Sequence, residues 1–193
     1  MSIPTLQTKR LLLRPFVLAD APTVQRLAGD REVASTTLNI PHPYEDGMAE
    51  AWIETHAPNW EAKKNLALAV TAEADELVGA MSLRLTLDHR RGELGYWIGV
   101  PYWNRGYATE AAGALVAYGF NELGLNRIEA QYITRNPASG RVMEKLGMKR
   151  EGVRRQHILK WDKLEDLALY AVLASDRSEH DRLDGEVYTH AKV

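Results

Sequence analysis

The spacing of apolar residues changes twice along this chain. Residues 10–17, R-L-L-L-R-P-F-V, form a short apolar run that reads as a first strand. Asp20 stands in N-cap position before Ala21-Pro22, opening a helix to about Leu27. From Glu45 to Lys63 the residues Met48, Trp52, Ile53 and His56 share one face of a second helix. Between the two helices, the prolines of N-I-P-H-P-Y (39–44) mark a loop.

No proline occurs between Asn59 and Val100, and the period drops to two. Leu66, Leu68 and Val70 alternate with small residues, and Met81, Leu83, Leu85 and Leu87 share a face of the next strand, 77–87. D-H-R-R-G (88–92) is a turn and E-L-G-Y-W-I-G-V (93–100) a further strand, so an antiparallel meander is expected. After Pro101 helical spacing returns: Ala108, Ala112, Leu115, Val116 and Gly119 share a face, with Gly124 as the C′ residue. A strand over 127–134 follows, and then Asn136-Pro137 opens a short helix carrying Val142, Met143 and Leu146 that Gly147 closes. Two last strands run over 148–159 and 164–174. The order βααβββαβαββ predicts an α/β (α+β) fold with a mixed, mostly antiparallel sheet of six to seven strands flanked by helices. The strand–helix–strand unit over 93–134 needs a crossover, which places one parallel pair at the centre. One domain is expected over residues 1–193, with its core at about 8–175 and a charged tail over 176–193.

Composition removes several functions. The net charge of −2 gives no reason to expect nucleic acid or an anionic membrane as partner. The absence of cysteine excludes disulfides, thiolate catalysis and cysteine-based zinc sites. No apolar run reaches the length of a membrane span and the first ten residues hold no signal core, so a cytoplasmic protein is expected. The six histidines show no zinc-ligand spacing, and no metal site is expected.

Chemistry concentrates in Y-W-N-R-G-Y-A-T-E-A, residues 102–111. No two of the 14 glycines are spaced G-x-G, and no G-K-S, G-K-T or G-x-S-x-G occurs, so dinucleotide, P-loop and nucleophile-elbow patterns are absent. Glycine at a helix start reads in two ways. Gly106 either turns the chain into a buried helix, or lets an anion approach backbone amides at the positive end of the helix dipole. Arg105 would add a charge-assisted bond or stand in solvent.

Read with N-P-A-S-G-R-V-M-E-K-L-G-M (136–148), the stretch G-Y-W-I-G-V-P-Y-W-N-R-G-Y-A-T-E-A resembles the GNAT superfamily of N-acetyltransferases. Within it the likeness is to the Rim-type enzymes that acetylate ribosomal-protein N-termini, and T-K-R-L-L-L-R-P-F and D-L-A-L-Y-A-V-L extend it from about Thr8 to about Ser175. The resemblance implies acetyl-CoA as cosubstrate, its pyrophosphate on the amides of Asn104, Arg105, Gly106, Tyr107, Ala108 and Thr109. The pantetheine arm would pair with backbone at Ile98 and Val100, and the Asn136 side chain, besides capping its helix, would meet a pantetheine amide. Trp103 replaces the Arg or Gln of the wider superfamily, as is usual in the Rim-type group. Met143 replaces the tyrosine that protonates the leaving thiolate in many members, and Ser139 is the substitute the resemblance suggests.

Acetyl transfer to an amine needs a neutral nucleophile, a donor for the oxyanion and a proton for the thiolate. The N–H of Ile98 or of its neighbour is the oxyanion candidate, against an ordinary ladder amide. Glu93 is either a base acting through water or a plain turn-end carboxylate. Ser139 either protonates the thiolate or bonds to nearby backbone. Tyr96, Trp97, Tyr102 and Trp103 would line the cleft, with at least two of them in the core. Glu110 suits the dipole and need not touch ligand, Asp166 and Tyr170 are candidates for the acceptor side, and His42 stands in a loop, either covering the substrate or solvated. The acceptor face is expected from loops near 33–44 and 154–166. The expectation is direct transfer in a ternary complex to an amine acceptor, first a protein N-terminus and second a small amine, with a homodimer left open. A module that binds acyl-CoA without turnover is the alternative of a different class.

Overall fold

The computed structural model describes residues 2–177 and the short strand Tyr188–Thr189. The rest of the charged tail lies outside the described residues. The expected first strand is two short ones, β1 (Leu6–Gln7) and β2 (Leu12–Arg14), joined by a turn closed by Thr8 N–H on the Leu11 carbonyl (2.9 Å). β2 stops at Pro15, which has no N–H to donate.

Helix α1 (Ala21–Ala28) follows as expected, but Asp20 does not cap it with its side chain. Its carboxylate instead accepts from both terminal nitrogens of Arg14 (2.8 and 2.9 Å) and from Val17 N–H (2.9 Å). α2 (Arg31–Thr36) is an element the spacing did not suggest, and Asp30 caps it by accepting Glu32 N–H at 2.8 Å. The expected helix over 45–63 is two, α3 (Met48–Glu54) and α4 (His56–Glu61). Pro58 lacks the N–H that would bond the Glu54 carbonyl, so a continuous helix breaks at Thr55.

The meander comprises β3 (Asn65–Thr71), β4 (Leu77–Thr86) and β5 (Arg91–Ile98). Then come α5 (Tyr107–Asn121), β6 (Arg127–Ile133), α6 (Pro137–Lys145), β7 (Lys149–Lys160) and β8 (Lys163–Leu173), with Tyr188–Thr189 as β9. α5 ends at Asn121, with left-handed Gly124 in the turn beyond it rather than at C′. α6 closes as expected: Gly147 N–H bonds the Glu144 carbonyl (3.0 Å) and Met148 N–H that of Met143 (3.0 Å), a Schellman pair around a left-handed glycine.

The nine strands among the described residues form one sheet in the order β7-β8-β6-β5-β4-β3-β2-β1-β9. The count exceeds the expected six to seven because the first strand splits and β9 joins the far edge against β1. Every pairing is antiparallel except β5 with β6.

Close approaches assign the two faces. A side chain on Gly92 would strike Leu83 and Leu125, and one on Gly119 of α5 would strike Ile128 and Leu83. One on Gly99 would strike Leu27 of α1. Even-numbered residues of β5 and β6 therefore face α5 and α6, and odd-numbered ones face α1 to α4. β3 is buried from Leu66 to Thr71 without alternation, because helices cover both faces at the sheet centre.

Candidate active site

The parallel ladder between β5 and β6 is short. It joins Arg91 to Arg127, Gly92 to Ile128 and Glu93 to Glu129, and then the strands part. Among the described residues, β5 continues to Ile98 paired only with β4, and β6 to Ile133 paired only with β8. Gly99 N–H bonds the Val78 carbonyl (2.9 Å), so by antiparallel alternation Gly95 and Trp97 bond across to β4. Tyr96 and Ile98 then direct their backbone groups into the gap that β6 has left. The Ile98 carbonyl accepts the Trp103 indole N–H at 2.6 Å, which leaves Ile98 N–H facing the gap. A cavity of about 900 Å³ fills the opening and reaches both faces of the sheet.

One wall is the start of α5. Asn104 (φ 61°) and Gly106 (φ 79°) are left-handed, and they turn the chain so that the Tyr107, Ala108 and Thr109 amides begin the helix at the cavity. A helix's first amides have no intrahelical acceptor. Glu110 N–H is the first to find one, the Gly106 carbonyl at 3.1 Å. A Cβ on Gly106 would touch only Arg10 Nη2, at 3.4 Å, so the space before these amides is open.

The N-terminal segment braces the turn. The Glu110 carboxylate accepts from Thr8 Oγ1 (2.7 Å), Arg10 N–H (2.8 Å) and Arg10 Nε (2.6 Å), while Arg10 Nη1 donates to the Arg105 carbonyl (2.9 Å). Burial raises the Glu110 pKa, but these bonds outweigh it and hold the carboxyl below its usual range. The Arg105 guanidinium lies over the Tyr102 ring (5.6 Å), and the Val100 carbonyl accepts Trp103 N–H (3.2 Å). Of the expected cosubstrate residues, Val100 and Arg105 do not line the cavity; Ile98, Asn104, Gly106, Tyr107, Ala108, Thr109, Asn136 and Ser139 do.

α6 supplies the facing wall. Asn136 holds the N-cap position before Pro137, yet its side chain makes no capping bond. Ser139 Oγ lies 2.7 Å from the Tyr96 hydroxyl, which also reaches the Ser139 carbonyl at 3.1 Å. Burial pushes the Tyr96 pKa up to about 12 against the opposing bond from Ser139, so the phenol stays protonated. Met143 is buried, with no proton to give. The Tyr96–Ser139 couple escaped sequence reasoning. Its signal is the even number of Tyr96, which places it on the α6 face once the faces are known.

A braced amide cradle beside a splayed parallel pair is an arrangement for holding a phosphorylated, extended cosubstrate. The family model for the acetyltransferase (GNAT) domain matches residues 10–149. The chain belongs to the GNAT acetyltransferase family. It is 32% identical over 172 residues to the uncharacterized N-acetyltransferase YoaA of Bacillus subtilis (strain 168), covering 88% of this chain and 97% of that one. A GNAT-family acetyltransferase structure from Bacillus anthracis superposes with a TM-score of 0.76 at 31% identity, covering 88% and 98% of the two chains. The ribosomal-protein-S5-alanine acetyltransferase of Vibrio fischeri shares the fold with a TM-score of 0.78 at 20% identity, covering 89% of this chain and 97% of that one. The protein is thus a GNAT N-acetyltransferase, and it catalyses acetyl transfer.

The residues present in this acetyltransferase fit acetyl-CoA: unpaired helix amides for a phosphate, an open strand edge for an extended arm and an uncapped Asn136 for an amide. On the other face the acetyltransferase presents Glu93, which accepts from Gln131 Nε2 (2.9 Å) and faces Arg84 (3.6 Å). The surrounding walls come from α1, α2, the segment 37–41 and α3, and are largely apolar. Trp97 and Tyr102 are buried, and the Tyr102 hydroxyl bonds Glu76 (2.7 Å), so two of the four candidate aromatics are core residues. Tyr170 is buried against Glu144 of α6 (3.3 Å), and Asp166 accepts Gln156 N–H (2.7 Å); neither lines the cavity. His42 bonds the Gly29 carbonyl through Nδ1 (3.0 Å) and stands behind the wall. Among the described residues no group of three or more His, Asp or Glu side chains is arranged to hold a metal ion, and no helix is long and apolar enough to cross a membrane.

Proposed function

We propose that this acetyltransferase transfers the acetyl group of acetyl-CoA to the α-amine of a protein or peptide N-terminus, by direct attack in a ternary complex. The observation that carries the acceptor class is the charge of the cavity. Glu93 is the one carboxylate among the described residues that line it, and it is already engaged by Gln131 and Arg84. A polyamine presents several ammonium groups and calls for several carboxylates. An N-terminus presents one amine beside a neutral chain, which matches one carboxylate among apolar walls. The modest base fits as well: an α-amine, with pKa about 7.7–8.0, has a substantial neutral fraction near neutral pH, whereas a lysine is neutral about once in a thousand.

Acetyl-CoA supplies the thioester, and the chain's residues do the rest. The amides of Tyr107 to Thr109, with the dipole of α5, hold the pyrophosphate. Ile98 N–H, free of any ladder partner, stabilises the oxyanion. Glu93 accepts the amine proton, directly or through water. When the Tyr96 hydroxyl donates to Ser139 Oγ in place of the Ser139 carbonyl, the Ser139 hydrogen is free to point at the leaving sulfur. Thiol release from acetyl-CoA tests this with Ser-, Ala- and Thr-initiated peptides, the same peptides blocked at the N-terminus but carrying a lysine, and polyamines. Only the free N-termini should turn over, and faster turnover with polyamines or blocked peptides would reverse the assignment.

A further inference from the structure

The segment 37–41 forms part of the acceptor wall, yet it belongs to no helix or strand. Irregular backbone beside a cavity needs partners for its carbonyls. Cations from the far half of the sheet supply one of them, at Ile40, and hold the last turn of α2 just before the segment, at Ser35. Arg135, just after β6, donates through Nη2 to the Ser35 carbonyl, and Lys160, the last residue of β7, donates through Nζ to the Ile40 carbonyl at 3.0 Å. Both are themselves held. Arg135 Nε bonds Glu165 at 2.8 Å, a carboxylate only 6% exposed. Trp161, at the hairpin tip, has Lys160 and Arg31 over its ring (5.4 Å each) and His42 at 5.6 Å, so the hairpin also grips the two ends of this region.

Lys160 is only 8% exposed. Taking an ammonium out of water is unfavourable unless it is hydrogen-bonded, and here the bond goes to the wall itself. Burial, with the charge of Arg135 second, lowers its pKa from the ordinary lysine range. Wall and cation therefore depend on each other. None of these contacts touches the α5 cradle or the Tyr96–Ser139 couple.

We infer that Lys160 and Arg135 are positioning residues for the acceptor: by clasping the Ile40 and Ser35 carbonyls they fix the wall against which the acceptor packs, and the β7–β8 hairpin sets acceptor affinity without contacting acetyl-CoA. The inference rests on the cavity's odd-numbered face being the acceptor side, as in the proposed function.

Lys160→Met and Lys160→Arg test it. With the acceptor that wild type turns over best, Lys160→Met should raise the acceptor KM about tenfold, the scale of one charge-assisted hydrogen bond, and leave the acetyl-CoA KM within about twofold. Lys160→Arg, which keeps a donor, should recover most of the loss. Hydrogen–deuterium exchange should quicken in residues 36–44 of Lys160→Met and stay unchanged over 104–115. If both KM values move together, or neither moves, the inference is overturned. If wild type prefers a small amine, the proposed acceptor falls, while the ratio of the two KM values still decides the clasp. If no amine tested is turned over, unchanged exchange in 36–44 overturns the clasp and faster exchange confined there supports it.

Discussion

His56 sets an acid limit on this fold. It opens α4, is 4% exposed, and stands edge-on to Trp52 (4.4 Å between centroids) and Phe16 (5.1 Å). Neither ring nitrogen has a hydrogen-bond partner among the described residues. Burial lowers its pKa from 6.5 to about 4. Between those values the unfolded chain binds a proton that the folded chain refuses, so stability rises with pH there. The contribution is complete above the unfolded value of 6.5 and is lost progressively as pH falls to about 4. At about 1.4 kcal/mol per pKa unit, the whole window is worth roughly 3 kcal/mol, of which about 2 is gone by about pH 5. His56→Phe keeps an edge-on ring and removes the titration. Its larger ring shifts stability by a constant, so the informative quantity is the change with pH. Urea unfolding, followed by tryptophan fluorescence at about pH 7.5 and about pH 5, should show the stability difference moving by about 2 kcal/mol in favour of the variant. Carboxylates common to both proteins cancel. Equal losses in wild type and variant between the two pH values would refute the claim that His56 is held neutral by burial.

The site makes three further predictions. Gly106→Val should weaken CoA binding at least about tenfold, because a branched side chain fills the approach to the amides; the left-handed backbone adds about 1–2 kcal/mol of strain, a fall of only a few degrees in Tm. Normal CoA affinity by calorimetry would remove the phosphate from this turn. Ser139→Ala should lower kcat about 10- to 100-fold with little change in the acetyl-CoA KM, and Tyr96→Phe should lower it less; unaltered single-turnover rates would take the couple out of the chemistry. Glu93→Gln should reduce kcat to a similar degree without affecting CoA affinity, and a wild-type rate would leave Glu93 as a strut for Gln131 alone.

What was legible in the sequence follows from range. The meander, α5 and α6 are carried by local periodicity, and the cradle is local too, since a glycine before a helix start needs only its neighbours to be read. α2 has six residues and β-branched Val33 and Thr36, too few and too poorly helical for a period to emerge. The break between α3 and α4 was encoded in Pro58, which the shared apolar face masked. For the proposed acceptor side the loops near 33–44 and 154–166 could be named, but the lining residues could not, because they come from α1, α2, α3, β5 and β6 and meet only when the sheet forms. Asp166 and Tyr170 misled for the same reason: strand membership says which residues alternate, not which face looks at which helix.

Trp103 has a consequence beyond its place at the cleft. Where β5 and β6 part, the fold carries an open strand edge in its middle, the kind of surface that recruits stray extended peptides. With the indole already on the Ile98 carbonyl, that edge offers a free N–H there while one lone pair of its acceptor is taken, so an incoming strand pairs less favourably at Ile98. A ligand carbonyl meets the Ile98 N–H without competition, whereas an N–H aimed at the Ile98 oxygen shares it with the indole. The same tryptophan thus weakens strand pairing at the gap while leaving the Ile98 N–H open to a carbonyl.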